Sequence, residues 1–135
     1  MTDRRQFFVL MGALAATPAC ALADQAVAFP YGQTFVAESL AGTEFADTSR
    51  PTLHVTADGK VNGSAGCNRY HATAKVAGAT LAFGPLAMTR KACFGAGGDN
   101  ERRFAPAIAA TSGWRMERRT LVLETTFGPL RFRRS

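Results

Sequence analysis

The sequence predicts a mainly β fold of the α+β type: a small antiparallel, barrel-like sheet of about eight short strands with one helix. Three observations predict it. Short runs that alternate apolar and polar residues recur from Thr34 to Arg133, separated by Gly, Pro, Asp and Asn. An Asp58-Gly59 pair stands between two of these runs, where a tight hairpin needs residues that tolerate positive φ. Apolar residues at helical spacing occur in one stretch only, after Asp99.

With 135 residues, 47% apolar and 19% charged, the chain has room for one domain. No solenoid-length repeat is visible. Residues 1–23 read as an export signal: Arg4 and Arg5 precede an apolar run from Phe7 to Ala16, and Ala21-Leu22-Ala23 supplies small residues for cleavage before Asp24. That run is too short to span a bilayer. The arginine pair followed by Phe7 and Phe8 also resembles a twin-arginine signal, so two export routes stay open. Lipid anchoring through Cys20 is a further alternative, though Thr17-Pro18-Ala19 suits it poorly. The expected location is periplasmic or secreted.

Residues 24–32 read as a flexible lead-in, and residues 33–134 as the folded domain. Thr34 to Leu40 is the first strand, with Phe35 in the core, and Ala41 to Pro51 is a connection. Thr52 to Thr56 alternates, with Leu53 and Val55 on one face and His54 on the other. The Asp-Gly hairpin returns it as Val61 to Ala65. Tyr70 to Val76 and Thr80 to Phe83 are further strands, turned at Ala77-Gly78. After Gly84-Pro85, Leu86 to Arg90 pairs again briefly. Gly95 to Gly98 reads as irregular, being rich in glycine.

The helix is expected to start at Asp99 or Asn100, with Glu101 at the positive end of its dipole and Phe104 and Ile108 one turn apart. Pro106 predicts a short or kinked helix ending near Ala110. Trp114 to Glu117, Thr120 to Thr125 and Leu130 to Arg133 complete the sheet, with a turn at Phe127-Gly128-Pro129. Trp114, Phe127 and Phe132 are expected in the core.

Setting aside residues 1–23 removes Cys20 and leaves Cys67 and Cys93, an even pair in an exported chain, which favours a disulfide. Such a bridge would stabilise by roughly 3–4 kcal/mol. Two alternatives stay open: a pair of free buried thiols, and a zinc site drawing on Cys67, His71, Cys93 and His54. A Cys67–His71 nucleophile pair lacks an acidic partner, and four strand residues would hold the two about 13 Å apart. Asn68 reads as a turn residue beside an exposed Arg69, and Thr89-Arg90-Lys91 as a solvated turn or an anion site.

Two motifs resemble a known family. Gly66-Cys67-Asn68-Arg69-Tyr70, followed by Thr89-Arg90-Lys91-Ala92-Cys93, is similar to the paired motifs of the META domain in HslJ-like proteins. The order of hairpin, first motif, second motif, helix and closing strands fits over residues 33–134. Phe35 stands where the family usually has tryptophan. The resemblance implies a small β-rich domain of the bacterial envelope, associated with heat shock and in some members with novobiocin resistance or virulence. It brings no enzymatic activity, catalytic residue, metal or cofactor. Its motif residues map onto Gly66, Cys67, Asn68, Arg69, Tyr70, Thr89, Arg90 and Cys93.

The charge balance is basic, 16 against 10 acidic, and eight of the basic residues are arginines from Arg102 onward. That asymmetry suits weak contact with anionic surfaces. Export removes nucleic acid as a partner. The expectation is therefore a monomeric, non-enzymatic envelope domain acting through an unidentified protein or envelope component, with a lipocalin-like carrier of a small apolar ligand as the alternative.

Overall fold

A computed structural model describes residues 27–135. The export signal and Cys20 lie outside the described residues. The strands are β1 Thr34–Leu40, β2 Thr43–Glu44, β3 Thr52–Val55, β4 Lys60–Ser64, β5 Arg69–Ala77, β6 Thr80–Phe83, β7 Ala87–Met88, β8 Thr111–Glu117, β9 Thr120–Thr125 and β10 Gly128–Arg134. One helix, α1 Gly95–Ala109, lies between β7 and β8. All pairings among them are antiparallel. The order β10-β9-β8-β6-β5-β4-β3-β1 closes when β1 pairs with β10, Phe35 opposite Arg134 and Leu40 opposite Leu130. The result is an eight-stranded barrel, with β2 beside β1 and β7 beside β5 as additions. Closure leaves no long free edge, which is how a small all-antiparallel sheet avoids pairing with other chains.

Alternation along each strand sends one set of side chains inward. Phe35, Ala37, Leu53, Val55, Val61, Tyr70, Leu81, Leu121, Leu123, Leu130 and Phe132 are buried in one core. The hairpin sits where Asp58-Gly59 puts it, with Val55 opposite Val61 and Gly59 at φ 88°. The seam between β6 and β8 is the thinnest, a bridge at Thr80 and Gly113 reinforced by the Trp114 amide donating to the Ala79 carbonyl at 3.0 Å. A narrow seam needs help from elsewhere, and α1 supplies some. Phe104 from the helix enters the barrel interior, with ring centroids 5.8 Å from Tyr70, 6.2 Å from Phe132 and 6.3 Å from Phe45.

Several expectations need correction. The glycine run is not irregular: α1 begins at Gly95, and Phe94 is its N-cap without a side-chain hydrogen bond. Asp99 and Asn100 therefore lie inside the helix. Pro106 does not shorten it, because Pro106 faces solvent while Phe104, Ala107 and Ile108 are buried and hold the turn in place. Of the lead-in, residues 27–32 form no strand, yet Phe29 is buried against Trp114 and Tyr31. The connection from Ala41 to Pro51 contains β2 and buries Phe45. Gly128 and Pro129 belong to β10 rather than to a turn. Phe127 is not a core residue but stands 53% exposed.

Candidate functional site

The two sequence motifs meet at the helix end of the barrel. The first follows β4 and enters β5. The second is the segment 89–94, a strap running from β7 to α1. Cys67 and Cys93 are joined by a disulfide, with Cα atoms 6.2 Å apart and a sequence separation of 26. The bond fastens the strap to the β4–β5 turn.

Gly66 explains how the turn reaches the helix. Its φ is +128°, and a Cβ there would come within 2.6 Å of the Gly97 carbonyl and 2.9 Å of the Glu101 nitrogen. Gly98 answers it from the helix side, where a Cβ would lie 2.7 Å from the Cys93 carbonyl. Gly97 and Gly98, in the first helical turn, are thus sites of close backbone approach. Loss of side-chain volume here lets turn, strap and helix stack directly.

Asn68 is the hub. It is 4% exposed, and every polar group on it is engaged. Its Oδ1 accepts from the Lys91 amide at 2.7 Å and from Thr89 Oγ1 at 2.9 Å. Its Nδ2 donates to Glu101 Oε2 at 2.9 Å, to the Lys91 carbonyl at 3.2 Å and to Cys93 Sγ at 3.5 Å. Its own amide donates to Glu101 Oε1 at 2.6 Å, and the Cys67 amide shares that oxygen at 3.3 Å. Asn68 therefore bridges turn, strap and helix, a larger role than the turn residue expected from sequence.

Glu101 is the partner that sequence reasoning placed elsewhere. It does not sit in the first turn of α1, where it would serve the helix dipole; it lies in the second turn and faces the β4–β5 turn. Burial would raise its pKa. The hydrogen bonds from the Asn68 side chain, the Asn68 amide and the Cys67 amide outweigh that effect and hold the carboxyl below the usual value of 4.5. The signal available in sequence was an acidic residue at the inner edge of a helix that follows a glycine run. Asn100 is a second such case: its side chain bonds Ala46 on both backbone groups and the carbonyls of Thr48 and Ser49, pinning the β2–β3 connection to the helix.

The remaining motif residues divide. Thr89 Oγ1 accepts from the Arg69 amide at 3.0 Å while it donates to Asn68. Tyr70 is fully buried, and its hydroxyl donates to the Thr52 carbonyl at 2.7 Å. Burial pushes that phenol far above its usual range. Arg69 and Arg90 are exposed. The histidines are not brought to the cysteines: His54 and His71 lie on the outer sheet face, each opposite Asn62. Among the described residues the cluster with metal-ligand chemistry is Cys67, Cys93 and Glu101, and there the two sulfurs are bonded to each other. No helix of the described residues is long and apolar enough to cross a membrane.

Comparison with known proteins agrees with this geometry. Two solved NMR structures share the fold. One, of a protein from Burkholderia xenovorans, is 23% identical with a TM-score of 0.63, covering 99% of both chains. The other is 23% identical with a TM-score of 0.61, covering 75% of this chain and 87% of that one. No curated protein matches the chain. The META domain family model matches residues 26–135, which include Phe29, the barrel, both motifs and the helix that joins them. This chain belongs to the META domain family.

Proposed function

We propose that the protein is a non-enzymatic binding domain of the bacterial envelope, exported by its first 23 residues and serving an accessory, stress-related role like that of HslJ-like proteins. The observation that supports this reading is the state of the motif residues. The two sulfurs are bonded to each other, and the carboxamide of Asn68 and both oxygens of Glu101 accept or donate within the protein. A nucleophile, a base and an open position for a reacting atom would be needed for covalent or acid–base catalysis. Here the same groups hold backbone segments together.

The barrel interior supports binding by the outside. Tyr70, Phe35, Phe45, Phe104 and Phe132 are among the largest fully buried side chains and occupy the space that a lipocalin-like carrier would leave for a ligand. A disulfide also fits a domain that works outside the reducing cytosol. The test is crosslinking in living cells followed by identification of what is captured. An envelope protein or envelope component, captured by the wild type and reproducibly enriched, is expected. Capture of cytosolic proteins alone, together with a full-length N-terminus by mass spectrometry, would overturn the export and envelope reading.

A further inference from the structure

Five of the eight arginines from Arg102 onward are engaged within the fold, while Arg118, Arg119 and Arg134 are exposed and make no ion pair among the described residues. Arg115 pairs with Glu117 and Glu124, Arg131 with Glu117, and Arg133 with Glu38. Arg102 pairs with Asp99. Arg103 donates to the Thr43 and Glu44 carbonyls and covers the Phe45 ring at 4.4 Å. A second and larger group of open basic charge lies on a different face. Lys60, Arg69 and Lys75 are exposed on β4 and β5, and Arg90 and Lys91 are exposed on the strap beside them. None of these five makes an ion pair to a carboxylate among the described residues. Asp58, in the β3–β4 turn, lies near Lys60, and Glu101 is turned inward to Asn68.

The strap carries one more feature. Phe94 is 89% exposed, more than any other large apolar residue described. It follows the disulfide directly, and Lys91 and Phe94 border the same open cleft. Lys91 is fixed through its amide to Asn68, and Thr89 is fixed to both backbone groups of Arg69. The network around Asn68 and the disulfide therefore fix the backbone that carries Arg69, Lys91 and, between and beside them on the strap, the exposed Arg90 and Phe94. A protruding ring is costly in water and marks a site that gains from being covered.

We propose that this face, Arg69, Arg90 and Lys91 with Phe94 at its tip, docks on an anionic phospholipid bilayer. Lys60 and Lys75 extend the positive surface along the strands. The cations meet the headgroup phosphates, and the ring enters the interface, the two-part chemistry by which peripheral proteins hold a membrane. The choice of a bilayer over nucleic acid rests on the exported reading above. The docking surface can fail without that reading failing, because crosslinking to an envelope protein needs no lipid.

The test is sedimentation of the full chain with vesicles of phosphatidylcholine alone and of phosphatidylcholine mixed with phosphatidylglycerol. The neutral vesicles control for the apolar run at Phe7 to Ala16, whose binding would not need anionic lipid. Binding is expected to the mixed vesicles, weakening as salt is raised. The R69Q/R90Q/K91Q variant should bind them about a hundredfold more weakly, about fivefold for each cation. F94S should lose about tenfold. R118Q/R119Q/R134Q removes the same net charge from the opposite end and should bind as the wild type does. Circular dichroism and Trp114 fluorescence confirm that each variant is folded. Equal binding to both vesicle types, equal loss in the two triple variants, or binding to soluble polyaspartate but not to vesicles would each overturn the proposal.

Discussion

At the helix end of the barrel, Cys67–Cys93, Asn68 and Glu101 tie turn, strap and helix together by one covalent bond and a set of directional hydrogen bonds. At the opposite end, Phe29, Tyr31 and Trp114 close the interior by contact between rings, with centroids 4.9 Å and 5.1 Å apart. There the Trp114 indole, donating to the Gly78 carbonyl at 2.7 Å, adds one side-chain hydrogen bond to the thin backbone seam between β6 and β8. The contrast teaches why only one end carries recognisable motifs. Directional bonding fixes residue type and position together, since replacing Asn68 leaves several buried groups without partners. Ring packing depends on area and volume, which several apolar residues can supply. The helix end is therefore built from specified residues, and the far end from residues of a suitable kind.

Removing the bridge is the strongest way to break the comparison. C67A/C93A should lower stability by roughly 3–4 kcal/mol, read as a shift in the urea midpoint at unchanged slope. The loss should concentrate at one end. Hydrogen exchange should rise over residues 89–98, while fluorescence of Trp114, the single tryptophan, stays as in the wild type. A folded double variant with unchanged exchange at the strap would show that Asn68 and Glu101 hold it without the sulfurs.

The second test strikes the other end. F29A removes a ring that is 6% exposed and should cost about 3 kcal/mol, toward the lower limit for buried phenylalanine because Phe29 lies at the rim. Trp114 fluorescence should shift here and not in the cysteine variant. The two ends share no side-chain contact, so the costs of F29A and C67A/C93A should add to within about 0.5 kcal/mol. Marked non-additivity, measured in the combined variant, would mean that the ends are coupled through the core.

The same contrast explains what could be read from the sequence. The strands were legible because alternation and the Asp58-Gly59 turn are local signals, and Leu53, Val55, Leu121 and Leu123 fall inside as their spacing requires. The pairing of Cys67 with Cys93 follows from parity once residues 1–23 are read as an export signal. The helix start was not legible. Glycine normally argues against a helix, and only the close approach of Gly66 to Gly97 and of Gly98 to Cys93 shows why glycine is required there. Burial of Phe29 was hidden for a related reason: a strandless segment gives no periodicity to read. The charge asymmetry was legible in number but not in place, because the paired glutamates come from β1, β8 and β9 and only the folded register sets them beside the arginines.

The smallest effect concerns Glu101, and its dependence on pH sharpens the comparison further. E101Q keeps the shape of the side chain but replaces one acceptor oxygen with a donor, facing either the Asn68 amide or Asn68 Nδ2. At neutral pH this should cost about 1.5–3 kcal/mol, the range for hydrogen bonds to a charged group. The folded protein holds the Glu101 carboxyl below its ordinary value of 4.5, so the unfolded chain binds this proton more readily. The stabilisation is therefore complete above that value and is lost as pH falls through the depressed folded pKa. Asp47, Asp58 and Glu117 are lowered as well, but each is a solvent-exposed carboxylate whose coupling to stability is screened. Urea midpoints measured from neutral pH down into the carboxylate range should thus fall more steeply for the wild type than for E101Q, and the two curves should converge in acid. Parallel curves would assign the acid sensitivity to the exposed carboxylates and leave the helix end no more dependent on acid than the aromatic end, where no carboxylate takes part in the closure.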